Sequence, residues 1–593
     1  MMKERLEGAG MSRRNVLKVA AAATGAAAVT GAINYGDAAA SPFTGRRRLR
    51  YAKPQDTEKQ IFYHTGVYED PTSFDWNANL YCNAEEETFA GLLTFNENLE
   101  ASADWAETWS TNDDASVWTF NLRKDNKGWT DGTPVTAQDF VFSWGRQLDP
   151  ATKAAYAGFL IDIKYASEFN NSKPVDDAND PLNGKVPTRD QLGIKAIDDW
   201  TLEVTMAGPR AYFPQVASYQ AAVPAPSWAI EKLGDKWALA DDGTLVSNGP
   251  FKLDKWNHGQ SLIMSKHDGY WDAENIALTN VVEPISPVTN EVTLYESGSG
   301  DQRVDWCTLT ASDYERYSAD PNLSSQISPY VYPGIWMMLP QVTVAPFDKL
   351  EVRQALSHAI DRDRLASVTN QLVTPAYCMV PQGVFGFLDD PSLQTIQDFD
   401  ATKAMDALKG TDFEGGKNWP EITMYMRANE EIYSANIMAE DIVAQLKTNL
   451  GMDIKIQTVP QSNFSEQLFE NKWPLVFIRW WADYPDPNNM YGDMFYSRKA
   501  SGHRQAYSSD AFDDLVEQGK AEPDPDKRLA IYLKAEKQIQ GDVGYMPLVY
   551  RLDYYAFKPF VKGLAVNKFG QTVPDGNIYV RMLTKASVQG RPA

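Results

Sequence analysis

Histidine and cysteine are the scarce residues of this 593-residue chain, five of one and three of the other. His64, His258, His267, His358 and His503 stand apart, with no H-x-x-H or H-E-x-x-H grouping, so each reads as a surface or satisfied histidine rather than a ligand. Cys82, Cys307 and Cys378 are odd in number and widely separated. That excludes a disulfide framework and the paired spacing of a structural zinc site, while leaving room for one bridge. A G-x-S-x-G elbow, a Walker loop and a dinucleotide fingerprint are also missing. Basic charge is in deficit: 56 Lys and Arg face 79 Asp and Glu, for a formal charge of −23. Such a field repels nucleic acid and anionic membrane, and no nucleic-acid partner is expected.

Long apolar runs are short supply too. The most apolar N-terminal segment, Val19 to Ile33, has fifteen mild residues of mostly Ala, Gly and Thr. It falls short of the roughly 20 needed to span a bilayer. It follows Ser12-Arg13-Arg14-Asn15-Val16-Leu17-Lys18 and precedes Ala38-Ala39-Ala40, an A-x-A cleavage pattern. Residues 1–40 therefore resemble a twin-arginine export signal, a route that usually serves proteins folded before export. No cysteine closely follows the apolar segment, so no lipoprotein attachment is expected. The mature protein is expected to be periplasmic or otherwise extracytoplasmic. Gly45 to Lys53, GRRRLRYAK, reads as a basic linker within residues 41–54.

What is present is ordinary globular material, 43% hydrophobic and 23% charged, enough for several packed domains. Val117 to Leu122 and Thr201 to Met206 alternate at period two and predict strands. Thr136-Ala-Gln-Asp139 reads as a capping box opening a helix that carries Phe140, Val141 and Trp144. FKLDKW and SLIMSK flank Asn257-His258-Gly259-Gln260 as a hairpin with a four-residue loop. EVRQALSHAIDRDRL and Arg528 to Ile539 have helical apolar spacing. The pattern is mixed α/β without internal repeats.

Six blocks then occur in one order: DPTSFDW (Asp70 to Trp76), GLLTFNENLEASADWAETW (Gly91 to Trp109), the stretch from Trp118 to Trp144, NGPFKLDKW (Asn248 to Trp256), VRQALSHAIDRD (Val352 to Asp363) and WWADYPDPNN (Trp480 to Asn489). From about residue 60 to 590 the chain resembles the extracytoplasmic peptide-binding components of ABC importers, solute-binding protein family 5. The resemblance implies an α/β fold of two lobes joined by a hinge, a type II (Venus-flytrap) binding protein with an extra domain inserted in the first lobe. It places lobe I in residues 55–89, 212–329 and 551–593, the insertion in 90–211, and lobe II in 330–550. The implied partners are a peptide ligand and an ABC-transporter membrane permease, for a monomer that is not an enzyme and needs no cofactor or metal.

The family also implies a site. An edge strand reads a peptide backbone by β-augmentation, and a carboxylate meets its ammonium. Asp483 matches that carboxylate, Phe477, Ile478, Arg479, Trp480 and Trp481 the strand, and Trp480 an aromatic of a side-chain pocket; Tyr484 adjoins them. Phe477 stands where the family's type member has a basic residue, and the arginine falls two positions later. Side chains two apart share a strand face. Arg479 is thus open to two readings: it meets a ligand carboxylate, or it pairs with Asp483 or another cleft residue. Phe142 replaces a tyrosine of the implied site, and Asn79, in the shortened segment WNANLYC, is a further candidate. The competing readings are the same fold with a non-peptide ligand such as an oligosaccharide, which 17 Trp would suit, and an exported hydrolase using paired carboxylates.

Overall fold

The computed structural model describes residues 60–78, 85–124, 126–428, 430, 434–498, 504–573 and 582–591. The export signal, the basic linker, Asn79, Cys82 and His503 lie outside them. Among the described residues no helix is long and apolar enough to cross a membrane. Cys307 and Cys378 are buried free thiols.

The first sheet contains β1 (Ile61–Tyr63). A short helix, α1 (Glu85–Thr88), follows it. Next comes a separate antiparallel sheet of β2 (Ala106–Thr111), β3 (Val117–Leu122), β4 (Ile194–Asp198) and β5 (Thr201–Thr205), in the order β2-β3-β5-β4. Leu202 and Val204 point inward along β5 and their neighbours outward, the alternation expected of a half-buried strand. Helix α2 (Ala137–Leu148) opens on the Thr136/Asp139 capping box, in which the Thr136 amide donates to Asp139 Oδ2 at 2.8 Å. Burial pushes that carboxyl up to about 6, against the hydrogen bonds from Thr136 and Trp129.

β6 (Phe251–Asn257), β7 (Ser261–Lys266) and β8 (Asn280–Pro284) complete the first sheet in the order β1-β8-β7-β6, with β1 parallel to β8. The β6–β7 hairpin has a loop of three residues rather than four, because Asn257 pairs with Ser261. Gly259 makes the turn at φ +66°, and its amide donates to Asp70 Oδ1 at 3.0 Å. The Asn248 amide clamps both the Ala90 N–H (3.0 Å) and the Ala90 carbonyl (2.8 Å), tying the stretch after α1 to the start of β6.

The third sheet has seven strands: β9 (Trp306–Leu309), β10 (Ile327–Pro340), β11 (Val373–Pro375), β12 (Ile422–Arg427), β13 (Ile454–Val459), β14 (Leu475–Trp481) and β15 (Met546–Phe557). Its order is β9-β15-β10-β14-β12-β13, with β11 on β15. β10 and β15 are its long members, 14 and 12 residues, buried over most of their length as central strands are. Their pairing is interrupted between Val331 and Ile335. On one side of the break β15 pairs with β9; on the other, β10 pairs with β14 from Gly334 to Pro340. Two smaller core clusters lie on either side of the break, while a larger one runs across it through Tyr330, Tyr332, Ile335 and Met337. Trp336, Met338, Phe477 and Leu475 pack with Ile442 and Leu446, whereas Cys307, Leu309, Tyr554 and Ala556 pack around Tyr317.

The segment from Glu351 to Leu365 forms two helices instead of one: α3 (Leu350–His358), then a restart over Arg362–Val368. Asp361 is the reason, its carboxylate accepting the amides of Asp363 and Arg364 as an N-cap. Beyond it lie α4 (Ala435–Leu450), closed by Gly451 at φ +69°, α5 (Asp510–Ala521) and α6 (Pro525–Gly541). The two ends of the described body meet. Gln60 Nε2 donates to the Val588 carbonyl at 2.8 Å and Gln60 Oε1 accepts the Val588 amide at 2.9 Å.

Candidate functional site

β14 carries the site, and its two edges differ. One edge pairs antiparallel with β10 along all seven residues, Leu475 opposite Pro340 through Trp481 opposite Gly334. The other meets β12 in parallel only at Leu475 and Val476. From Phe477 to Trp481, no strand among the described residues pairs with that second edge. An exposed strand edge is the feature on which an extended ligand adds by β-augmentation. Burial follows the same gradient: Leu475 to Ile478 are buried and Arg479 to Trp481 half-buried.

The side chains of β14 alternate. Phe477 stacks on Trp336 at 5.0 Å and is core, so the ligand would meet its backbone alone. Ile478 is buried on the opposite face. Trp481 stands edge-on to Trp336 at 5.9 Å and over Gly334, where a Cβ would fall 2.0 Å from its ring. Gly334 is what lets that ring lie across β10. Arg479 Nε donates to Glu430 Oε1 at 2.7 Å, with its guanidinium 4.7 Å from the Trp481 ring. Of the two sequence readings, the geometry thus gives Arg479 a carboxylate partner, and it is Glu430 rather than Asp483.

Past β14 the chain turns at Tyr484-Pro-Asp-Pro487 into a π-helical turn, Asn488–Gly492. This irregular turn aims Asn489 back at the strand end. Asn489 Oδ1 accepts the Trp480 indole N–H (3.0 Å) and the Asp483 amide (3.0 Å), and its Nδ2 donates to Asp483 Oδ2 (3.2 Å) and Asp493 Oδ2 (3.0 Å). Asp486, by contrast, is buried in a two-point pair with Arg528 (2.5 and 2.6 Å) and anchors the turn to α6.

Asp483 keeps part of its surface open, yet protein encloses it on most sides. Desolvation, helped by the Asp493 charge, pushes its carboxyl up to about 7; the Asn489 hydrogen bond and the Arg504 charge oppose the rise. The Arg504 guanidinium lies 5.3 Å from the Trp480 ring, and burial pulls it down to about 10. Tyr484 is buried, donates to Asp493 Oδ2 (3.1 Å) and stacks on Tyr212 at 6.1 Å. Phe142 is not part of this cluster: it sits on α2 with Arg189 5.2 Å from its ring. The residues that the sequence reasoning missed are Asn489, Asp493, Arg504 and Glu430. Asn489 lies inside the block WWADYPDPNN, and its spacing from Asp483 was the available signal; the other three carry none.

The α/β body built on this seven-stranded mixed sheet has the fold of the two-lobed solute-binding proteins. The chain belongs to the bacterial extracellular solute-binding proteins, family 5, whose model matches residues 100–502. It is 30% identical over 505 residues to the periplasmic oligopeptide-binding protein OppA of Salmonella typhimurium, covering 84% of this chain and 88% of that one. It is 28% identical over 532 residues to the dipeptide-binding protein DppE of Bacillus subtilis, covering 87% and 92%. Among solved structures, the unliganded open form of the periplasmic murein tripeptide binding protein MppA superposes with TM-score 0.73 at 24% identity, over 90% of this chain and 98% of that one. Haemophilus influenzae OppA in complex with RPPGFSPFR gives 0.68 at 23%, over 90% and 99%. These two likenesses concern the fold.

Proposed function

We propose that this protein captures peptides outside the cytoplasm and delivers them to the permease of an ABC importer, without breaking a bond. The observation that carries the reading is the second edge of β14, which no described strand pairs from Phe477 to Trp481, with Asp483 two residues past its end. A peptide extends that edge with its backbone and places its ammonium at Asp483, which Asn489 holds in position. Trp480 and Trp481 flank the side chains. The oligopeptide- and dipeptide-binding relatives support the ligand class. In the same reading the lobes meet where β10 and β15 cross, close to residues 330 and 550, residues 90–211 are an insertion in lobe I, and export uses the paired-arginine head.

Calorimetry with an unmodified peptide and its N-acetylated form tests the reading. Asp483→Asn is expected to weaken the unmodified peptide by about 2–5 kcal/mol, the usual cost of breaking a desolvated charge pair. That is roughly 30-fold or more in affinity. The acetylated peptide should bind both proteins equally weakly. Equal affinity of wild type and variant for the free amine sinks the role of Asp483.

A further inference from the structure

The chain that leaves β5 reaches over to the turn that carries Asp483. Met206 bridges Ile163, the Met206 amide donates to the Ser116 carbonyl (2.8 Å), the Ala207 amide to the Asp162 carbonyl (2.8 Å) and the Arg210 amide to the Ala115 carbonyl (2.9 Å). Residues 206–212 therefore ride on the sheet of β2 to β5. Tyr212, at the end of this stretch, is 3% exposed, and its hydroxyl donates to Asp162 Oδ2. Arg210 Nε lies 2.9 Å from the other oxygen of that carboxylate. Desolvation pulls the Asp162 carboxyl upward, but the Arg210 charge, the Tyr212 hydroxyl and the Lys520 charge outweigh it and hold the group below the usual carboxylate range. The far end of the Tyr212 side chain is thus tied to a charged, oriented partner.

The Tyr212 ring stacks on Tyr484 with 12° between the planes, and Phe159 meets the same Tyr484 ring edge-on at 6.2 Å. One residue earlier, the Ala211 amide donates to the Lys520 carbonyl at 2.9 Å. Lys520 lies in the last turn of α5, whose final carbonyls have no partner within the helix, so this contact satisfies one of them. From Tyr484 the contacts run on to the carboxylate. Its hydroxyl accepts from Asn488 Nδ2 (2.7 Å) and donates to Asp493 Oδ2, and Asn489 Nδ2 joins that oxygen to Asp483 Oδ2. Tyr484 also follows Asp483 directly in the chain, so its ring position bears on the backbone that carries the carboxylate. Stacked rings and linked hydrogen bonds hold direction as well as place. Resting on the peptide-capture reading above, we propose that Tyr212 is a positioning residue of the Asp483 site: seated on Tyr484, it holds the Tyr484–Asp493–Asn489 chain in the arrangement that presents the Asp483 carboxylate to a ligand amine. Because Tyr212 rides on a different sheet from β14, the amine is read fully only when the two are docked.

The test compares a peptide with its N-acetylated form, by calorimetry and stopped flow, in wild type, Tyr212→Leu, Tyr212→Phe and Asp483→Asn. Tyr212→Leu should weaken the free amine roughly 3- to 30-fold, chiefly through faster dissociation. The acetylated peptide should stay within about twofold of its wild-type affinity, and Tyr212→Leu should add nothing in the Asp483→Asn background. Tyr212→Phe keeps the stack and should recover most of the loss, which a cavity left in the packing by leucine would not by itself predict for the amine alone. Tyr484→Phe removes only the hydroxyl link and should show the same selective loss, so it serves if Tyr212→Leu does not fold. An equal loss for both peptides makes Tyr212 a packing residue and overturns the proposal. A folded Tyr212→Leu that keeps the full wild-type preference for the amine also overturns it, and either result leaves Asp483 in place. Wild type that shows no preference for the amine removes the Asp483 reading itself, and the role of Tyr212 with it.

Discussion

An enclosed carboxylate held well above its ordinary range is the central residue-scale feature. Asp483 has its folded-state value raised to about 7, chiefly by desolvation, against an ordinary value of 3.8. The sign of its contribution to stability follows. Below about 4 the group is protonated whether the chain is folded or not, and it carries no penalty. As pH rises through about 7, the ligand-free fold loses stability because the enclosed carboxylate must ionise. An ammonium ligand reverses the preference, because it pairs with the charged form. Peptide affinity should therefore fall up to about tenfold per pH unit below 7, and level off or decline again above roughly 8 as the peptide amine deprotonates. Calorimetry between pH 5.5 and 8.5 measures this; a flat profile over 5.5–7 in wild type would mean that Asp483 does not meet the ammonium. Asn489 sharpens the effect by fixing the carboxylate through Nδ2 while its Oδ1 holds the Trp480 indole and the Asp483 amide.

For β14 as an element, Arg479 is the informative position. Arg479 and Glu430 are 19% and 4% exposed at the side chain, so their ion pair is largely desolvated. Removing Arg479 takes away the short contact and leaves Glu430 the longer one to Arg427, 3.9 Å away. Arg479→Ala should cost about 1.5–3 kcal/mol of stability, read from denaturant melts, with part of it recovered in the double variant Arg479→Ala/Glu430→Ala. Affinities for a peptide acid and its C-terminal amide should shift together in Arg479→Ala; a selective loss for the acid would restore the carboxylate-reading role. Sequence carried much of this element. The apolar run, its terminal aspartate and the family block put the strand and Asp483 in view. Sequence could not supply Glu430 or Arg504, because they reach the strand from distant segments without periodicity. The expected single helix over Glu351 to Leu365 failed for a local reason, since an Asp361 cap outweighed continuous apolar spacing. The capping box at Thr136, being local, was legible residue by residue.

At the scale of the whole molecule, β10 and β15 contribute to all three core clusters and lose register together between Val331 and Ile335. A paired ribbon with one interrupted stretch bends there more readily than elsewhere, and Gly334 in that stretch lies directly under Trp481 of β14. In the proposed reading, binding and bending are thereby adjacent. Saturating peptide should compact the protein, lowering the radius of gyration in small-angle scattering by a few per cent of the roughly 24 Å expected for a chain of this length. An unchanged radius with calorimetrically confirmed binding would remove the hinge. The contact between Gln60 and Val588 has a practical corollary for optical reporting. Gln60 and Val588 are held together by that contact, so a donor and acceptor dye attached beside those two positions are expected to keep a constant separation and stay silent through a binding cycle. One dye beside Gln60 and one on the exposed face of α4 are expected to change separation if the ribbon bends, turning the body into an optical sensor of whatever it captures.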